Sequence, residues 1–153
     1  MGWFKRNRNA EVQIFRNRVS IGDMNIMMFT DAGCVRDNNE DAVSVRMPRS
    51  EQLLAEKGVL LMLADGMGGH SSGEVASELT LESFAHQYYN SGKDILRSLK
   101  KALVHANKTV HSASLRDKRL QGMGTTFTSV LVLGEALYLV HIGDSRCYLL
   151  KED

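Results

Sequence analysis

The stretch that most constrains this 153-residue chain runs from Leu60 to Ser77. Five apolar residues, Leu60 to Ala64, precede Asp65-Gly66-Met67-Gly68-Gly69-His70, and Ser71-Ser72-Gly73-Glu74-Val75-Ala76-Ser77 follows. A short apolar run bounded by a glycine cluster reads as a buried strand, and the turn after it places one carboxylate, Asp65, at the strand's end. Glycines at 66, 68 and 69 permit backbone approaches that a Cβ would block, so main-chain carbonyls or amides there can face a ligand. Ser71 and Glu74 have capping-box spacing and start a helix. Strand, carboxylate, glycine turn and capped helix make a place for a metal ion; the alternative is a plain strand-to-helix turn with Asp65 in solvent.

Composition narrows the class of partner. A hydrophobic content of 43%, a charged content of 24% and a formal charge of +1 give no global field that would favour nucleic acid or a membrane surface. No apolar run reaches transmembrane length and the basic, polar start lacks the apolar stretch of a secretory signal, so neither membrane insertion nor secretion is expected. The two cysteines, Cys34 and Cys147, form no CxxC or zinc-ligand pattern, which suits a reducing compartment and a cytoplasmic location. A chain of this length, if a complete unit, buries roughly 70% of its unfolded surface.

Taken in order, residues 1–23 read as a lead-in with a first strand at Val12–Phe15, and Met24–Thr30 reads as a second strand after a turn at Gly22-Asp23. An acid-rich loop follows, Asp31 to Asp41. Arg36 offers a planar fork of donors that matches a phosphate, and Glu40 and Asp41 are hard oxygen donors of the kind Mg²⁺ or Mn²⁺ requires. The other reading of that loop is a turn and cap cluster, a common use of Asp and Asn. Ala42–Met47 alternates as a strand, Pro48 ends it, and a polar connection leads to a strand at Gly58–Ala64. One helix is expected from Val75 to Tyr88, stopped at Asn90-Ser91-Gly92. A second starts near Asp94, with a stripe of Leu96, Leu99, Leu103, Ala106, Val110 and Ala113 that lies on a sheet or another helix. Lys100, Lys101, Lys108 and Arg116 fall off the stripe and read as a solvated face. Thr125–Leu133 and Ala136–Ile142 read as a hairpin about Gly134-Glu135, and Arg146–Leu150 as the start of another strand.

Three separated segments then share one resemblance. Arg36-x-x-Asn39-Glu40-Asp41-Ala42, Asp65-Gly66-Met67-Gly68-Gly69 with Gly73-Glu74-x-Ala76-Ser77, and Gly124-Thr125-Thr126 followed by Gly143-Asp144-Ser145-Arg146 resemble, in the same order, the metal-dependent PPM (type 2C) protein Ser/Thr phosphatases of the bacterial branch. The resemblance covers residues 24–153.

That resemblance implies an α+β fold: a four-layer αββα sandwich of mainly antiparallel sheets flanked by helices. It implies a hydrolase in which two Mn²⁺ or Mg²⁺ ions activate a water that attacks phosphoserine or phosphothreonine directly, with room for a third, weaker ion. Asp65 looks like the bridging ligand, Gly66 the residue whose carbonyl binds one ion, Glu40 the carboxylate on the other, Asp41 a partner of metal-bound water and Asp144 the holder of the third ion. Arg36 matches the arginine that holds the substrate phosphate. The implied partners are phosphorylated proteins, substrates of a bacterial Ser/Thr kinase. Oxygen-only ligands independently select Mg²⁺ or Mn²⁺ over Zn²⁺, and phosphoryl transfer is handled mostly by position and charge.

Two departures from the pattern matter. Met67 stands where some relatives carry a histidine proposed as the acid for the leaving group, and a thioether donates no proton. Two further aspartates of the binuclear centre would lie beyond Asp153, so the chain is expected to be the N-terminal portion of the domain, its C-terminal part missing, and weakly active or inactive alone. The alternative is a non-catalytic pseudophosphatase fragment whose Arg36 loop binds phosphoproteins.

Overall fold

Residues 15–21, 24–34, 38–68 and 72–150 are described by a computed structural model, which divides into two units, Met1–Asn39 and Glu40–Asp153. In the first unit β1 (Phe15–Ile21) and β2 (Met24–Thr30) pair antiparallel, in register from Phe15↔Thr30 to Ile21↔Met24. The first strand therefore extends through the polar Arg16-Asn17-Arg18 segment, because ladder pairing outweighs weak strand propensity; Val12–Ile14 lie outside the described residues. After β2 the Asp31 carboxylate accepts from the Gly33 N–H at 2.7 Å, an Asx turn. Asn39 Nδ2 donates to Thr30 Oγ1 at 2.8 Å and ties the base of the loop.

The second unit is an antiparallel sheet with its two long helices packed on one face. In chain order it contains β3 (Asp41–Arg46), α1 (Glu51–Lys57), β4 (Val59–Met67), α2 (Ser72–Tyr89), α3 (Ile95–Arg116), a 3₁₀ turn (Lys118–Leu120), β5 (Gly124–Thr125), β6 (Phe127–Leu133) and β7 (Ala136–Ile142). The strands run β3-β4-β6-β7, all antiparallel, with short β5 pairing the end of β4. The hairpin forms as the sequence predicts: Leu133 opposes Ala136, and Gly134 takes the positive φ of 56° that such a turn requires. The polar connection before β4 is helical, with the Ser50 hydroxyl accepting from Leu53 N–H.

The core forms where α2 and α3 meet the sheet. Leu60, Met62 and Ala64 of β4, Phe127 and Leu131 of β6, Leu81, Phe84, Ala85 and Tyr88 of α2, and Leu99, Ala102 and Ala106 of α3 make one buried cluster. Phe84 and Phe127 pack with ring centroids 4.6 Å apart. Where it meets the sheet, α2 buries small residues, Gly73, Ala76, Ser77, Thr80 and Ser83, alongside Phe84 and Tyr88, while Val75 and Leu79 are only half-buried. Small side chains let the helix approach the sheet closely, and their hydroxyls return to carbonyls of the same helix, Thr80 to Ala76 and Ser83 to Leu79. The α3 stripe is turned slightly from the expected one: Ser98, Leu99, Ala102, Ala106 and Val110 are buried, Leu103 is half-buried and Leu96 is 68% exposed. Asp94 caps the helix by accepting from Arg97 N–H at 2.9 Å, a contact worth about 1 kcal/mol.

Register places Val43, Val45, Leu61, Leu63, Val130, Leu137 and Leu139 together on the opposite face, since directly paired residues share a side of the sheet. Leu63, Leu137 and Leu139 are 40%, 55% and 57% exposed. Arg146–Leu150 forms no strand, and Tyr148, Leu149 and Leu150 are exposed. Strand propensity needs a ladder partner, and this segment pairs with none of the described strands.

Two tyrosines seal the end of the sheet where β3 leaves and β4 enters. The Tyr89 hydroxyl reaches the Arg46 and Gly58 carbonyls, at 2.8 and 3.1 Å, and the Tyr88 hydroxyl donates to the Lys57 carbonyl at 2.8 Å. Lys57, itself buried, donates through Nζ to the Gly92 carbonyl and lies 5.0 Å from the Tyr88 ring centroid. Burial pushes the Tyr89 phenol up to about 12 and raises Tyr88 as well. The native state therefore holds protons that the unfolded chain releases above about pH 10, so this stabilisation is complete below pH 10 and is lost as pH rises toward 12. Tyr89→Phe should cost about 1 kcal/mol at neutral pH and flatten the alkaline loss, read by circular dichroism melts across pH 8–12. Ser129 Oγ is buried without a hydrogen-bond partner. Ser129→Ala should hold or raise the melting temperature, since it removes an unsatisfied group at small packing cost.

Candidate metal centre

Two strands and one helix terminus build the acidic site. In the β3–β4 ladder Asp41 stands directly opposite Asp65, so their side chains share a face. One residue back, Gly66 N–H donates to the Glu40 carbonyl at 3.1 Å. β4 does not end at Ala64 before a glycine turn, as its sequence suggests. It continues through Asp65 and Gly66 to Met67, because β5 supplies a partner, with Gly66 opposite Thr125 and Met67 opposite Gly124.

Thr126 holds Asp65 in place from both sides of its peptide. The Thr126 N–H donates to the Asp65 carbonyl at 2.9 Å, and Thr126 Oγ1 accepts from the Asp65 N–H at 3.0 Å. Thr125 Oγ1 adds a second donor to the same carbonyl at 2.9 Å. With the main chain so fixed, the Asp65 side chain is presented from a rigid point at the sheet's end, and the residue is exposed. The sequence pattern places Thr125-Thr126 in the right segment, but nothing in it signals this clamp, which exists only because β4 and β6 are neighbours.

Glycines bring Glu40 onto the start of α2. A Cβ on Gly66 would sit 2.1 Å from the Gly73 carbonyl oxygen and 2.6 Å from that of Glu40, and a Cβ on Gly73 would sit 2.7 Å from the Glu40 carboxyl carbon. The two backbones touch with no side chain between them, and the Glu40 carboxylate lies against Gly73. Ser77 Oγ donates to the Glu40 carbonyl at 2.7 Å. A carboxylate at this end of α2 is favoured by the helix dipole.

Asp144 joins this arrangement through its neighbours. Ser145 Oγ and Thr126 Oγ1 are 2.9 Å apart, and Gly143 packs on the Thr126 side chain. Asp144 itself is exposed. His141 Nδ1 is hydrogen-bonded to Thr128 Oγ1 and Nε2 to the Gly143 carbonyl, so it acts as a strand residue that steadies the turn. Met67 is 59% exposed at the end of β4. Arg36 lies outside the described residues, as do His70 and Ser71. Lys100, Lys101, Lys108 and Arg116 are exposed, as a solvated face requires.

The donor set suits a hard divalent cation. Glu40, Asp41, Asp65 and the Gly66 carbonyl offer oxygen alone. Among the described residues, no three His, Cys, Asp or Glu side chains converge closely enough to hold an ion by themselves.

Residues 36–153 match the family described as Protein phosphatase 2C. The chain belongs to the protein phosphatase 2C family. It is 44% identical over 124 residues to the serine/threonine protein phosphatase PstP of Mycobacterium tuberculosis, covering 80% of this chain and 22% of that protein. Among solved structures it is similar to the catalytic domain of PstP in complex with two manganese ions, with TM-score 0.60, 37% identity, and coverage of 88% of this chain and 49% of that one. It is also similar to the phosphatase Stp1 from Staphylococcus aureus, with TM-score 0.64, 26% identity, and coverage of 90% and 48%. The chain thus spans about half of these protein phosphatase 2C structures.

The glycine contact makes a stability prediction with a built-in contrast. Gly66→Ala collides with two backbone oxygens and should lower stability by about 3 kcal/mol. Gly73→Ala meets chiefly the far end of the Glu40 side chain, so it should melt between wild type and Gly66→Ala while displacing that carboxylate. Thermal melts followed by circular dichroism give the order.

Proposed function

We propose that this chain carries the first acidic half of the centre of a Mn²⁺- or Mg²⁺-dependent protein Ser/Thr phosphatase that hydrolyses phosphoserine and phosphothreonine. The observation that carries the reading is the junction of Asp65, paired with Asp41, with the Gly66–Gly73 contact that seats Glu40. Membership of the protein phosphatase 2C family and the two manganese ions of the PstP catalytic domain support it. In this reading Asp65, Glu40 and the Gly66 carbonyl hold the ions, Asp41 orients water by hydrogen bonding, Arg36 forks to the substrate phosphate and Asp144 serves a third, weaker ion. Divalent ions held there supply charge against the phosphoryl oxygens and make water a stronger acid. Met67 supplies no proton to the leaving group, so that proton comes from solvent or another residue.

The architecture we infer for the whole domain is the αββα sandwich. The apolar face formed by Leu61, Leu63, Val130, Leu137 and Leu139 calls for a second layer to cover it. Substrates would be phosphorylated proteins that a bacterial Ser/Thr kinase produces. No described helix is long and apolar enough to cross a membrane. A second reading, a phosphoprotein-binding segment without catalysis, draws on the absence of a three-ligand cluster among the described residues.

Titration calorimetry with MnCl₂ distinguishes the two. The phosphatase reading expects saturable Mn²⁺ binding that Asp65→Asn abolishes, with any slow Mn²⁺-dependent hydrolysis of p-nitrophenyl phosphate lost in the same variant. Wild-type chain that takes up no Mn²⁺ would leave only the binding reading.

A further inference from the structure

The outer face of α3 carries a charge pattern that neither the core nor the candidate metal centre uses. Across its 22 residues the helix contains Arg97, Lys100, Lys101, Lys108 and Arg116 and no Asp or Glu. Surface helices gain from alternating signs, and like charges three or four positions apart weaken them. Helix stability therefore gives no reason for such a sequence. Arg97, Lys100, Lys101, Val104, His105 and Lys108 follow the i, i+3, i+4, i+7, i+8, i+11 spacing of a single helical face. With Gln87 of α2 they line a groove of about 580 Å³. The four cations are exposed, and none is held in an ion pair with the described residues.

From this we infer that the groove is a docking surface for an acidic protein segment, a run of carboxylate side chains. Charge complementarity argues for the anion, and the form of the groove argues for a peptide. Its cations span about 16 Å of helix, the reach of about five extended residues. Val104, 47% exposed, and the aliphatic stems of the lysines give an apolar floor for a peptide backbone. The groove holds no Phe, Tyr or Trp, so it lacks the stacking platform that single-stranded nucleic acid uses. Its place matters as well. Gln87 lies fourteen residues along α2 from Gly73, about 21 Å, so a segment bound there leaves the acidic end of β4 open. The surface would raise the local concentration of a partner without touching the acidic centre, and it does not depend on the phosphatase reading.

Fluorescence anisotropy tests it with the 153-residue chain and a fluorescein-labelled peptide of alternating glutamate and glycine at low salt. The expected result is saturable binding that NaCl weakens and that a glutamine counterpart peptide lacks. Lys100→Glu/Lys101→Glu should weaken binding about tenfold, the size of two exposed ion pairs turned repulsive. Arg116→Glu, on the same helix outside the groove, should change it by less than about twofold. Circular dichroism checks that each variant is folded, and Lys100→Gln/Lys101→Gln replaces the reversal if it is not. Absence of saturable binding, equal loss in Arg116→Glu, or tighter binding of phosphatidylserine vesicles or an oligothymidine strand would overturn the assignment.

Discussion

The acidic end of this fold depends on two backbones touching where β4 meets the start of α2. A Cβ on Gly66 would strike the Gly73 carbonyl and one on Gly73 would strike chiefly the Glu40 carboxylate, and the Glu40 carbonyl receives both the Gly66 N–H and the Ser77 hydroxyl. Helix, β4 and the chain entering β3 are thereby fixed at one point. The small residues along α2 continue the same close approach toward the core, where Phe84 packs on Phe127. A larger residue at Gly66 would push α2 from the sheet, and one at Gly73 would displace the Glu40 carboxylate from its seat.

Around that point the protein holds the candidate site's side chains indirectly. Asp65 is positioned through its peptide group, by Thr125 and Thr126, which leaves its carboxylate exposed for a ligand. Asp144 is linked to the same threonine through Ser145. Such an arrangement fixes where a side chain starts through its backbone rather than through its carboxylate. The two faces of the sheet divide the remaining work: one packs under α2 and α3, while the other is apolar, partly exposed and ends in the Asp41–Asp65 pair. That division accords with a chain that spans about half of the protein phosphatase 2C structures it resembles.

Much of the fold was legible because its signals are local. The hairpin about Gly134, the Asp94 cap and the β3 and β4 strands follow from residues within a few positions of one another. What was misread turned on partners distant in sequence. β4 runs on to Met67 because β5 pairs with it, and Arg146–Leu150 stays irregular because no described strand does. In α2, Phe84 and Tyr88 are buried as apolar periodicity suggests, but Ser77, Thr80 and Ser83 are buried as well while Val75 and Leu79 are only half-buried, because small side chains let the helix approach the sheet closely.

The sequence by itself determined the family, through three ordered motifs, and with it the oxygen-rich chemistry of Glu40, Asp41, Asp65 and Asp144. Carboxylates, glycines and hydroxyls have chemical preferences that no fold alters. Tertiary structure alone decided that Asp41 faces Asp65, that Gly73 seats Glu40, that Thr126 clamps the Asp65 peptide and that the α3 cations line one groove. Each of these depends on strand register or helix placement, which are properties of pairing between distant segments and are written in no single one of them.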